Sequence, residues 1–157
     1  MPQDSNVHHG LGYVLYKIEK CHRDFGKKVD EENLDLALEE FELVAPNARL
    51  YHDRGLVELL RGNKTKALAY FNQGLALDEK HPLLLLEKSK LLLEKERLPQ
   101  EEWITLLAQL KQAKLGVRTD AFMIKKYNAQ IKAVEVRIHP DFEKTAGPTL
   151  QPRCNRP

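Results

Sequence analysis

Strand-like alternation of apolar and polar residues is absent from this sequence, which removes sheet-based enzymes and barrels from consideration. Cysteine is scarce. Cys21 and Cys154 are the two present, far apart and the second in a proline-rich stretch, so they read as free thiols of a reducing compartment. No apolar run approaches the roughly 20 residues that cross a bilayer. The leucine run Leu83 to Leu86 falls far short of that. Nor does any N-terminal stretch join a basic region to an apolar run and a small-residue cleavage site. A soluble, cytoplasmic protein without membrane attachment is the expectation. Charge of one sign is lacking overall, with 25 Lys or Arg against 23 Asp or Glu. It is unevenly placed, however: residues 111–157 carry 10 basic and 4 acidic side chains.

What the chain does have is helical periodicity, broken at regular intervals by proline and glycine. Residues 1–10 show no pattern and are expected to form a flexible arm. Leu11, Val14, Leu15, Ile18, Cys21 and Phe25 form the first helical stripe, and Gly26 breaks it. Asp30 can cap a second helix bearing Leu34, Ala37, Leu38, Phe41 and Val44, which ends before Pro46. A third helix runs from Ala48 to Leu60 and stops at Gly62-Asn63. The fourth covers Thr65 to Leu77, and the fifth starts near Pro82 and continues to about Arg97. Pro99 opens a sixth, with acids in its first turn and lysines in its last. Thr119 or Asp120 caps a seventh, ended by Pro140; residues 140–157 are expected to be a disordered, proline-rich tail. The prediction is an all-α chain of about seven helices.

Tyr51, Gly55, Gly62, Ala67 and Phe71 stand at recurring spacings within residues 48–81. In this stretch of 34 residues the chain resembles the tetratricopeptide repeat, whose pattern is a large aromatic, Leu-Gly, a small Ala, an aromatic and a closing Pro. Arg54 replaces the usual Leu, Gly74 the usual Ala, and the proline is displaced to Pro82. Upstream, Ala37 and Phe41 match a second helix, but the first helix does not fall into register. Downstream, Leu85, Ser89 and Leu92 fit a first helix, and Leu106, Leu110 and Ala113 a second after an insertion of about five residues. The resemblance implies a right-handed α-solenoid over residues 11–139, with the helix 119–138 as its cap. Ile124, Tyr127, Ile131, Val134 and Ile138 form that helix's seam. Folding back onto the solenoid gives a monomer; pairing between chains at 124–138 is the competing homodimer.

No constellation meets the standard for an enzyme. Gly62-Asn63-Lys64-Thr65 lacks the upstream glycine and strand of a phosphate loop and reads as a helix–helix turn. His8, His9, Cys21 and His22 match no closed zinc pattern. His52-Asp53 reads as polarity lining a groove, and Trp103 as a core anchor. No metal or cofactor is expected. The resemblance implies a protein–protein interaction module, an adaptor or scaffold, binding a partner peptide or helix in a concave groove. Mapped onto this chain, the groove comprises Arg49, His52, Asp53, Leu56, Leu60, Leu83, Leu86, Lys90 and Glu94. Family members that grip acidic chaperone tails use Asn after the repeat glycine and a Lys on the next hairpin. Leu56 and Leu86 occupy those positions here, leaving only Lys90. Two alternatives remain: a chaperone masking apolar segments of a client, and an acidic-surface or nucleic-acid binder using Lys111, Lys114, Arg118, Lys125, Lys126, Lys132 and Arg137. The last is weakened because aromatics do not interleave with the basic residues.

Overall fold

A computed structural model describes residues 4–95 and 97–140. Among these, seven helices and no strand are present: α1 (Ser5–Asp24), α2 (Glu31–Glu42), α3 (Ala48–Arg61), α4 (Lys64–Leu77), α5 (Pro82–Leu93), α6 (Gln100–Gly116) and α7 (Ala121–Ile138). The all-α expectation holds. Most of the helix ends follow from punctuation. Asp30 accepts from the Glu32 N–H, Asn47 from Leu50 and Asp120 from Met123, so each side chain satisfies an otherwise orphaned donor. Gly62 ends α3 in the left-handed conformation (φ 85°), and α4 begins two residues later. The glycine–lysine stretch is therefore a turn within a helix pair.

Packing divides the chain into two compact units, Met1–Lys88 and Ser89–Pro157. The division falls inside α5 because the two halves of that helix serve different neighbours. Leu84 closes over Gly74 of α4, whereas the Ser89 hydroxyl donates to Gln130 of α7 and the Leu93 carbonyl accepts from Arg137. In the first unit α1 packs on α2 and α3, and α3 packs on α4. Leu34, Ala37, Phe41, Leu50 and Val57 are fully enclosed between them. In the second unit α6 and α7 pair, enclosing Trp103, Leu106, Leu110, Tyr127 and Val134. Four of the five seam residues of α7 are thus buried, Ile124 being half-buried. Arg137 lies against the Trp103 ring, and Lys111 pairs with Glu135 at 2.9 Å. Two of the cations counted toward a basic binding surface are engaged in holding this pair together.

The start of α1 needs correction, and its stripe faces outward. Residues 1–10 are not all arm: the helix starts at Ser5, because the Asp4 carboxylate accepts from Asn6 N–H and caps it. The stripe Leu11, Val14, Ile18 and Cys21 is exposed, and Phe25, just past the helix end, is exposed with it. The inward face is His8, Gly12, Tyr16 and Glu19. Gly12 explains this orientation, since an added Cβ would stand 2.5 Å from the Phe41 ring and 2.9 Å from the Ala37 carbonyl. Only this face lets the backbones approach. Burial pushes the Tyr16 phenol up to about 12.

Glu19 completes that inward face. Its carboxylate is fully enclosed and accepts from the Asp30 N–H (2.7 Å), Asn33 (2.8 Å) and His22 (3.1 Å). Burial alone would raise its pKa, but these donors outweigh it and hold the carboxyl below the usual value. The residue fixes the α1–α2 connection at the point where α2 is capped. Glu19→Ala leaves these donors without their acceptor and is expected to cost about 1–3 kcal/mol. Amide exchange that accelerates across residues 26–34 but not in α7 is the corresponding readout.

Candidate partner-binding surface

α3 positions the predicted groove. Asn47 sets its start and Gly62 its end, which places Arg49, His52, Asp53, Leu56 and Leu60 along adjoining turns. The structure sorts them differently from a simple exposed lining. Arg49 is exposed, Leu56 is half-buried against the core, Leu60 belongs to the core, and His52 and Asp53 are buried. On α5, Leu83 is half-buried and Leu86 is enclosed, while Lys90 and, just past the helix end, Glu94 are exposed and belong to the second unit. Leu60 and Leu86 are therefore packing residues, buried because they fall on the inner side of their helices.

The structure brings Arg49, His52 and Asp53 together around a carboxylate that is only 1% exposed. His52 Nδ1 donates to Asp53 Oδ1 at 3.0 Å, and Arg49 Nε approaches the same carboxylate at 3.3 Å. His9 of α1 donates to Oδ2 at 2.7 Å from 44 residues away. Burial would raise the Asp53 pKa, but the His52 and His9 hydrogen bonds and the Arg49 charge hold it below its ordinary range. An ionised carboxylate has only acceptors, so both imidazoles must present N–H groups to it. Next to His8, which binds Glu40 of α2 at 2.5 Å, His9 thus ties α1 to α3 through polar bonds.

His81 extends the cluster. Its ring lies 6.4 Å from that of His52, and its Nδ1 accepts from the Leu84 N–H at 3.5 Å at the start of α5. Burial lowers its pKa, which keeps the accepting nitrogen unprotonated. At the rim, Tyr13 sits between two cations, with Arg49 and Lys17 each 5.9 Å from its ring centre. The chemistry available here is positional: Asp53 holds Arg49 outward beside Tyr13, and Leu56 and Leu83 are half-buried apolar residues of the same unit.

His9, weighed above only as a metal ligand, and Tyr13 and His81 could not be assigned to this surface from sequence because their role depends on contacts across helices. A usable signal existed. His9 stands three residues before Gly12 as His52 stands three before Gly55. The two glycines are matched: Gly12 lies under Phe41, and Gly55 lies against Phe71 so closely that no Cβ would fit. Both rings are fully enclosed.

Among the described residues, no three His, Cys, Asp or Glu side chains are arranged to hold a metal ion, and no helix is long and apolar enough to cross a membrane. Cys154 lies outside the described residues, as do residues 141–157 of the expected tail. No protein-family model matches the chain, and comparison with curated proteins and with solved structures yields no match.

Proposed function

We propose that this chain is a non-enzymatic protein–protein interaction module built from tetratricopeptide-like helical hairpins. A partner peptide or helix lies along the first helices of its hairpins, against Tyr13, Arg49, Leu56 and Leu83. The recurrence of one packing device carries the reading: a glycine in the first helix of a pair receives an enclosed phenylalanine from the second, at Gly12–Phe41 and again at Gly55–Phe71. Such a device keeps two helices close while leaving the opposite side of the first helix available to a ligand. The fixed guanidinium beside an aromatic ring and leucines suits a partner that offers apolar side chains and a carboxylate or carbonyl. Leu56 and Leu86 replace the polar groups that would clamp a C-terminal carboxylate, so acidic chaperone tails are not the expected ligand.

Pull-down with the wild type and with Arg49→Glu/Leu83→Glu tests the surface, since neither side chain is enclosed. Loss of specific partners in the variant, with an unchanged circular dichroism spectrum, is the expected result. Identical partner sets would remove the surface from consideration. Micromolar binding of an acidic chaperone-tail peptide would equally contradict the ligand class.

A further inference from the structure

The outer face of α1 is a second surface, which adjoins the one just described at Tyr13 and Lys17. Val7, Leu11, Val14 and Ile18 are 55, 49, 55 and 43% exposed, and Cys21 and Phe25 continue the row. Their separations of four, three, four, three and four residues are those of a helix that faces another helix. A shallow depression of about 380 Å³ lies on this face, bounded by Tyr13, Val14, Lys17, Ile18, Cys21 and His22.

The chain itself shows what covers such a face. Relative to Gly12, the positions of Val7, Leu11, Val14 and Ile18 correspond to those of Leu50, Arg54, Val57 and Arg61 relative to Gly55. In α3 that row packs on α2. Leu50 and Val57 are fully buried, Arg54 donates to the Phe41 carbonyl at 3.1 Å, and Arg61 pairs with Glu31 (3.0 Å) and Asp35. The covering helix, EENLDLALEEFE, carries six carboxylates and no cation. The matching face of α1 has the same complementarity. Lys17, Lys20 and Arg23 flank the seam, and Lys27 and Lys28 follow it. Of the two carboxylates in α1, Glu19 is buried and Asp24 is held by Lys20 at 2.5 Å. A second copy of α1 would therefore bring apolar side chains to this face but no free carboxylates to its bases.

We propose that the outer face of α1 docks an amphipathic helix of a partner protein, apolar along one stripe and acidic on its flanks. Three turns or more of such a helix would seat leucine-sized side chains between Leu11, Val14 and Ile18, with its carboxylates meeting Lys17 and competing with Asp24 for Lys20.

The test uses the full chain and two labelled synthetic helices of about 21 residues, three heptads each. Both carry leucines at four-three spacing; one is flanked by glutamates and the other by lysines. Fluorescence anisotropy is expected to show the glutamate peptide binding at least tenfold tighter. Leu11→Asp/Val14→Asp should abolish that binding while the thermal midpoint stays unchanged, both positions being exposed. Lys17→Glu/Lys20→Glu should reverse the preference between peptides. Equal affinity for the two peptides, or undiminished binding by the aspartate variant, would overturn the proposal. So would sedimentation of the full chain as a dimer that Leu11→Asp/Val14→Asp converts to monomer, because the occupant would then be a second copy.

Discussion

Gly12→Ala and Gly55→Ala are expected to destabilise the protein, whereas Gly10→Ala should stabilise it. All three glycines lie within helices, where Ala is normally preferred by about 1 kcal/mol. Gly10 has open space around it, so the ordinary preference should apply. At Gly12 a methyl would meet the Phe41 ring at 2.5 Å and the Ala37 carbonyl at 2.9 Å; at Gly55 it would meet the Phe71 Cδ1 at 2.7 Å. Neither ring can withdraw, because both are fully enclosed. Overpacking of this kind costs about 1–3 kcal/mol, which reverses the sign of the helix preference. Denaturant midpoints for the three variants, read against wild type, decide the matter. An increase at all three positions would mean that the glycine–phenylalanine contacts do not set the spacing of the helix pairs.

The second large effect belongs to Asp53. Asp53→Ala removes the acceptor shared by His9, His52 and Arg49 and leaves the buried His52 ring without its partner. Breaking a buried charged cluster in this way costs about 3 kcal/mol. The same group governs acid stability. Its folded-state pKa lies below the ordinary 3.8, so its contribution is complete above that value and is lost as pH falls through the folded pKa. His81 acts in a higher window. Its folded pKa is depressed below 6.5, so the neutral form is favoured in the fold, and stability should fall as pH drops below 6.5. Thermal midpoints measured from pH 7 downward should show a first decline starting near 6.5. His81→Asn should flatten that limb while leaving the later one, and Asp53→Ala should shrink the later one, to which Glu19 also contributes. A pH profile identical in all three proteins would show that neither group is linked to folding.

Sequence and structure agree best where punctuation is local. Pro46, Gly62, Pro82 and Asp120 each act on their own turn, so the helix starts and stops beside them were legible without knowledge of the fold. The orientation of α1 was not. Its four-three spacing identifies a stripe but not the side that meets the core, and the residues that decide the side are Gly12 and Glu19. Gly12 has no side chain to register in a hydrophobic pattern. Glu19 reads as a surface charge until the Asp30 N–H and Asn33 are placed against it. The candidate surface was partly legible for a related reason. Arg49, His52 and Asp53 lie on one helix and follow from its register, whereas His9 and His81 join them only through tertiary contacts. The burial of Leu60 and Leu86 likewise depends on which neighbour each helix face meets.

The binding role is open to a direct measurement by site-specific photocrosslinking in cells. A photoreactive amino acid placed at Arg49 and, separately, at Leu83 should yield adducts with the same partner protein. The same group at Thr65, exposed on α4 and away from the first helices of the hairpins, should yield none of that partner. Adducts of one shared partner at Arg49 and Leu83 alone are the expected result. No adduct at either position, or an equal yield of the same partner at Thr65, would contradict a binding surface along α3 and α5.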